Sequence, residues 1–457
     1  MKKFIGDRNF YKRLAVIVLP IIVQNAITNF VNLLDNLMVG QLGTDQVNGV
    51  AIVNQLMFVF TLCAWGGVSG AGIFTVQYFG KGDEEGVRNT FRAKLVLLGI
   101  VLLIGVAIFV FAGDTLIGQF LHEADGIGDP VITLKEGHDY LMIMLVGLVP
   151  LVISMSYSNT LRDIGQTVVP MISGVIAVFM NVFLNWVLIF GHLGAPALGT
   201  RGAALATVIA RFAEMLVIVC YTHIHRKEYP FIIGAYRTLL IPKELMNQII
   251  KKGTPLAVNE GLWAIGVTML NQSYSTRGLA VVGAISIAST ISNLFSVVYL
   301  SMGDAIAIIV GQLLGADRLE EAKDTDRKLI FTSIMMCLVI AGTMLIFRHK
   351  FPMLYNVEPM VRNLAAYFIL VLSVIMPFHA FLHGSYFTLR TGGQTIITFI
   401  FDSGFMWVIA VPAALIVSRF TTMNIYVMYA FISSLDLIKC VVGYVFLKKG
   451  TWLQKIV

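Results

Sequence analysis

Leu33-Leu34-Asp35-Asn36-Leu37-Met38-Val39-Gly40 lies deep inside the first long apolar run of the chain. An ionised aspartate at the centre of a membrane helix costs roughly 2.5–3.5 kcal/mol on insertion scales. Its own helix offers no cation to offset that cost, because Val31 and Val39 stand at i±4 and Asn32 and Met38 at i±3. Asn25, Thr28, Asn29, Asn32 and Asn36 recur at steps of three and four, a spacing that gathers them on one side of the helix. An acid beside such a stripe of amides has to face water or another protein surface rather than lipid. The remaining sequence is therefore expected to build the enclosure around it.

Composition agrees. Of 457 residues, 57% are hydrophobic and 13% charged, against about 25% charged in soluble proteins. The chain reads as an all-α integral membrane protein. Twelve runs are long and apolar enough to span a bilayer at about 20 residues each: 14–41, 46–78, 94–113, 138–161, 166–191, 200–224, 248–275, 280–313, 328–348, 362–389, 394–418 and 424–447. An even count puts both termini on one side. The loops and ends on that side carry 24 Lys and Arg against 7 on the other, so the positive-inside rule places both termini in the cytoplasm. The excess of base over acid, 33 against 26, follows from topology and does not indicate nucleic acid. Cys63, Cys220, Cys337 and Cys440 all fall in apolar runs and read as small core residues, with no metal or disulfide spacing. The first run is too long and too polar along one side for a cleavable signal peptide.

The longest hydrophilic connection, 225–252, divides the chain into an N-terminal lobe, 1–224, and a C-terminal lobe, 253–457, with six runs each. Its Leu239–Ile250 part is amphipathic and suits the cytoplasmic interface. The two lobes repeat. At an offset of 235, Pro20 corresponds to Pro255, Asn25 to Glu260, Asn36 to Asn271, Gly43 to Gly278, Gln77 to Gln312 and Gly80 to Gly315. At an offset of 228, Leu161-Arg162-Asp163-Ile164-Gly165-Gln166-Thr167 corresponds to Leu389-Arg390-Thr391-Gly392-Gly393-Gln394-Thr395. Asp129-Pro130 and Glu358-Pro359 each offer an acid before a proline, suited to a helix start. Six-helix halves in the same orientation imply a pseudo-two-fold axis along the membrane normal, typical of secondary transporters.

The candidate functional residues are the polar groups these runs should not contain. Asp35 and Glu260 are acids without a local partner: Leu256, Ala257, Trp263 and Ala264 flank Glu260 on its helix. Asn32 and Asn36 belong to the stripe beside Asp35. Asn181 and Asn185 share a helix face at i,i+4, where ordinary helix–helix hydrogen bonding competes with a functional reading. Asp402 is an unpaired acid of the eleventh run. His379 is a possible proton carrier, and Asn259 and His379 are the partners expected for Glu260. Arg211 with Glu214, and Asp436 with Lys439, sit three residues apart and read as self-neutralising structural pairs. His379 and His383 form an i,i+4 pair with no acid beside them in sequence, so no hydrolytic centre is built there. No Walker motif is present, which excludes direct ATP coupling.

Asp35 in Asp-Asn-Leu-Met-Val-Gly-Gln-Leu-Gly, the Gln77-Tyr-Phe-Gly80-Lys-Gly-Asp83 loop with its echo Gln312-Leu-Leu-Gly315-Ala-Asp317, and the paired Leu-Arg-x-x-Gly-Gln-Thr turns resemble the multidrug and toxic compound extrusion family. Asn181 and Asn185, followed by Gly191 and the 199–204 stretch, add to the likeness. The resemblance covers nearly the whole chain. It implies twelve helices in two lobes around a central cleft, within the wider superfamily that includes lipid-linked oligosaccharide flippases. It also implies export of amphipathic, often cationic organic compounds in exchange for H⁺ or Na⁺, with no other cofactor. In one branch of the family the first-helix acid, here Asp35, works with the fifth-helix positions that are here Asn181 and Asn185; the second of these is often an acid there. In another branch the coupling ion uses an acid on helix seven, matching Glu260, and one on helix ten, where this chain has His379. A Na⁺ ion at Asp35 or Glu260 and a proton are the two coupling alternatives, with the proton favoured because few oxygens surround Glu260. The expectation is a multi-pass monomer of the cell membrane, working on a small organic cation without ATP or nucleic acid. The alternative on the same architecture is a flippase for a lipid-linked glycan or other lipid-like substrate. That activity calls for basic residues within the helices, which are nearly absent.

In a background without native cysteines, a cysteine at Asp45, in a loop free of Lys and Arg, should react with an impermeant thiol reagent added to intact cells. One at Lys243 should not. Labelling at Lys243 alone would reverse the topology.

Overall fold

Apolar runs of 20 residues or more can satisfy their backbone groups in lipid only as helices, and every such run among the described residues forms helix. The structure is a computed structural model and describes residues 4–121, 129–355 and 357–457. Ten helices run uninterrupted: α1 (Arg8–Val39), α2 (Thr44–Lys81), α3 (Glu84–Gly118), α4 (Pro130–Asp163), α5 (Val168–Phe190), α6 (Thr200–Ile224), α7 (Lys243–Ser275), α8 (Leu279–Gly315), α9 (Leu319–Phe347) and α10 (Pro359–Thr391). Two further rods are composite. The first joins α11 (Thr395–Phe399) to α12 (Val411–Phe420) through π-helical turns over 400–404 and 406–410. The second joins α13 (Ile425–Ser434) to α14 (Asp436–Lys449). These are the twelve helices expected. Eleven of them are long and apolar enough to cross a membrane. The exception is α7, whose mid-helix pair Asn259-Glu260 lowers its hydropathy although it is 33 residues long.

Helix boundaries follow local chemistry. Both acid–proline signals start helices: α4 begins at Pro130, with the Asp129 carboxylate accepting the Val131 N–H at 2.8 Å, and α10 begins at Pro359. The amphipathic part of the long connection is not a separate interfacial helix, because from Lys243 onward it is continuous with α7. The connection before it is packed rather than loose. Tyr229, Phe231, Ile232 and Ala235 are buried, and Arg92 of α3 donates to the Ala235 and Gly234 carbonyls at 2.9 and 2.8 Å.

By Cα proximity the chain forms two compact units. One comprises 19–75 and 84–250, the other 1–18, 76–83 and 251–457. In the first, α6 packs on both α4 and α5, and α3 on α4, around a core that includes Val53, Phe60, Leu98, Leu141 and Leu148. Inside it, fully buried Lys94 of α3 donates to Asp163 at 2.6 Å and to Thr160 at 3.1 Å. In the second unit α10 is central, packed on α8, α9, α13 and α14 around Phe368, Ile369, Leu364 and Met428.

The repeat-related residues Gln77, Gly80, Gln312 and Gly315 meet within the second unit. Gly80 abuts the Gln312 carbonyl and Gly315 abuts the Gln77 carbonyl, with no room for a Cβ at either. The Gln77 amide is fully used: its Nε2 donates to the carbonyls of Thr391 (3.2 Å) and Gln454 (3.3 Å), and its Oε1 accepts from the Ile456 N–H (2.9 Å). Gly392 in turn abuts the Trp452 carbonyl. The last turn of α2, the turn after α10 and the C-terminal strand of chain are thus one knot. Gly80→Ala or Gly315→Ala must push backbones apart and should cost about 1–3 kcal/mol, the usual range for overpacking. A thermal melt of either variant in detergent that matches wild type would show that this crossing is not tight.

Candidate functional site

The polar residues fall into two clusters, one in each unit. In the first unit α1 brings Asp35 against α5. The Asn185 amide donates to Asp35 Oδ1 at 2.5 Å. Asn181, one turn earlier on α5, is best satisfied with its nitrogen turned toward the carboxylate. It then donates to both Asp35 oxygens at 2.8 and 3.0 Å and accepts from Thr207 of α6 at 3.1 Å. Three helices therefore converge on one acid, and the i,i+4 spacing of the asparagines is what lets both reach it. Asp35 has no cationic partner among the described residues, so amides alone stabilise its charge. Asn185 Oδ1 is buried without a hydrogen bond. Thr207 was not a candidate from sequence. It is one of many threonines, and only the packing of α6 on α5 singles it out. Asn32 and Asn36 stay outside the cluster: both are exposed, and Asp35 lies off the stripe's centre, turned toward α5.

In the second unit the sequence expectations need correction. Asp402 is not unpaired: Lys439 of α14 donates to its Oδ1 at 3.0 Å, and Asn259 of α7 to its Oδ2 at 3.1 Å. Lys439 and Asp436 are not a closed pair. They are 3.8 Å apart, and Asp436 turns its other oxygen to His379 at 3.1 Å. An acid thus stands beside the α10 histidines, supplied by another helix. The result is a chain of contacts, Asn259–Asp402–Lys439–Asp436–His379, crossing four helical rods. His383, one turn beyond His379, packs against Tyr299 with ring centroids 4.7 Å apart and the rings tilted by 32°. Asn259 and His379 are therefore committed elsewhere and do not partner Glu260. Asn259 also accepts from the Ser403 N–H (3.2 Å) and hydroxyl (2.7 Å). Glu260 is half-buried, and the charges that act on it are Arg390 and Asp402.

Three of the four rods in this second cluster carry a π turn, a helix start or a proline where they take part. Asp402 and Ser403 sit in π-helical turns, which turn both side chains to face Asn259. Asp436 opens α14 directly after the break at Leu435, where a helix N-terminus favours a carboxylate. Pro377 lies within α10 two residues before His379. Periodicity in an apolar run cannot reveal a π turn, which is why the eleventh run reads as a plain helix.

The sequence profile of the MatE family matches residues 20–187 and 260–416. The probable multidrug resistance protein YoeA of Bacillus subtilis is 24% identical over 421 residues, covering 91% of this chain and 88% of that one. The probable multidrug resistance protein NorM of Thermotoga maritima is 23% identical over 411 residues, covering 90% and 86%. Among solved structures, a multidrug resistance MATE family transporter of the MOP superfamily, in an outward-facing conformation, superposes with a TM-score of 0.86 at 20% identity, over 100% of this chain and 99% of that one. A MOP superfamily transporter from Pyrococcus furiosus, whose binding pocket is described as having reverse polarity, gives 0.87 at 20% identity over 98% and 97%. The structural likeness carries the fold, and the profile match reaches into both repeats and takes in Asp35, Asn181, Asn185, Glu260 and Asp402. This chain belongs to the MatE family, a family of membrane transporters rather than enzymes.

Proposed function

We propose that this protein is a multidrug efflux antiporter of the cell membrane, exporting amphipathic organic cations in exchange for H⁺. It works by alternating access between the lobes 1–224 and 253–457, joined by 225–252. Asp35 is the coupling carboxylate. The observation that carries this is its environment: a membrane-embedded acid held only by the Asn185 and Asn181 amides. Asp402 has Lys439 and Asp163 has Lys94, so those charges are cancelled within the chain. The charge on Asp35 is left for a mobile cation to cancel. The names of the bacterial relatives support drug export.

The physical sequence follows from charge. Ionised Asp35 attracts a cationic substrate. A proton arriving from outside removes that attraction and turns an acceptor into a donor, so the two amides that donate to it must reorient. The buried Asn185 Oδ1 is then an acceptor at hand. That exchange alters how α1, α5 and α6 are tied together. The membrane field contributes about 2.3 kcal/mol per charge moved through 100 mV. The same Asn185 oxygen favours a second reading, in which Na⁺ is the coupling ion. The Asp35 carboxylate and the Asn185 oxygen are two of the oxygen ligands a hard cation needs, and Asn181 adds a third by turning its oxygen inward. Glu260 is proposed as a second coupling site. The charge bias of the loops supports cytoplasmic termini, and a monomer suffices because each unit carries its own polar cluster.

Purified protein in liposomes with a pure H⁺ or a pure Na⁺ gradient, assayed with fluorescent organic cations, tests both readings. Wild type should respond to H⁺ and not to Na⁺; the reverse selects Na⁺. Asp35→Asn should fold and bind detergent micelles as wild type does but lose gradient-driven efflux. Active coupled efflux by that variant refutes the assignment. Glu260→Gln should slow H⁺-driven efflux. If it transports at the wild-type rate under both gradients, Glu260 is structural. Lys439→Met strands Asp402 and Asp436 without a cation and should lower stability by about 3–5 kcal/mol, as breaking a buried ion pair does. An unshifted melting temperature would show that the Lys439 network is loosely held.

A further inference from the structure

A cavity of about 410 Å³, within the usual range for small-molecule sites, lies in the second unit between α9, α10 and α14. Phe4 and Trp452, each close to a chain end in sequence, both line it. Phe4 rests on Phe331 with ring centroids 5.4 Å apart. The lining changes character along the helix axis. Lys323 and Arg327, near the start of α9, and Lys448, in the last turn of α14, give one end its charge, whereas Ile330, Ile334 and Phe381 make the rest apolar. From Lys323 to Ile334 is eleven residues of α9, about 16 Å at 1.5 Å per residue, or roughly half a hydrocarbon core. Tyr444 and Trp452, residues favoured at the boundary between water and hydrocarbon, line it as well.

The cations here are free to act on a ligand. The neighbouring Arg318 and Lys328 are taken by Glu321 and Asp324, whereas Lys323, Arg327 and Lys448 form no ion pair among the described residues. The acid in the lining, Asp326, is 4% exposed and already accepts from the Thr388 hydroxyl. Three cations against one occupied carboxylate leave a positive mouth above an apolar slot. We infer that this cavity binds an anionic phospholipid from the leaflet on the side of the termini. The lipid phosphate would lie among Lys323, Arg327 and Lys448, and an acyl chain would run past Ile330 and Ile334. Charge and hydropathy are graded along the same axis as such a lipid. A soluble anion would leave the apolar slot unfilled, and a neutral lipid would leave the three cations unmatched.

Native mass spectrometry of the full chain in detergent, titrated with phosphatidylglycerol, phosphatidylcholine or inorganic phosphate, tests this. Phosphatidylglycerol should bind and survive millimolar phosphate. The K323Q/R327Q/K448Q variant should weaken it on the order of a hundredfold, at about 1 kcal/mol per basic residue near an anionic lipid. The K135Q/K350Q variant, which removes two exposed cations elsewhere, should bind as wild type does. Ile334→Trp should abolish binding by filling the slot with the charges intact, so the proposal stays testable if the triple variant misfolds. The inference is overturned if the triple and Ile334→Trp variants hold phosphatidylglycerol as wild type does. It is equally overturned if phosphatidylcholine binds as tightly, or if phosphate alone displaces the lipid and marks a soluble-anion site.

Discussion

A charge in hydrocarbon has to be answered from within the chain, and the polar architecture of this protein depends on that constraint. Three different answers are found. Lys94 and Asp163 form a closed, buried ion pair that ties α3 to α4, with Thr160 completing the lysine's shell. Asp402 and Asp436 share Lys439, and His379 takes the remaining oxygen of Asp436. Asp35 receives only amide hydrogens. Opposite charges held at contact stay cancelled whatever happens outside. An acid held by neutral donors keeps its charge open to a mobile ion. The same constraint is thus met by ion pairs in two places and by amide hydrogen bonds alone in the third.

The second cluster shows what such pairing demands of the backbone. A regular α-helix presents a side chain every 100°, and a π turn changes that angle locally. Asp402 and Ser403 lie in such turns, and Asp436 opens α14. Distortion is stabilised in turn by what it reaches: Ser403 bonds to Asn259 through both its backbone and its hydroxyl, and the Trp407 indole donates to the Leu262 carbonyl.

The internal repeat is used unevenly. Gly80 and Gly315 keep the same role in both halves: each lets its backbone press against the carbonyl of the other half's glutamine, Gln312 or Gln77, where a Cβ on the glycine has no room. The ionisable residues diverge. Asp35 corresponds to Leu270, and Glu260 to Asn25. Close packing tolerates no asymmetry at a crossing, whereas a polar cluster can be rebuilt on another helix face without disturbing the frame.

The amino-acid sequence by itself determined the membrane class, the twelve helical segments, the repeat and the starts of α4 and α10. Each of these depends on local properties: run length, period, and the fixed φ of proline. It also brought out Asp35, Asn181 and Asn185, since an intramembrane acid and an i,i+4 amide pair are conspicuous without any fold. Tertiary structure alone decided which partners they take. Thr207 joins Asn181 only because α6 packs on α5, and Asp402 finds Lys439 37 residues away, on another rod. Lys439 and Asp436 read as a pair because sequence spacing ranks neighbours on one helix first. In the fold a residue on another rod lies closer, and a buried charge takes the partner that desolvation leaves nearest.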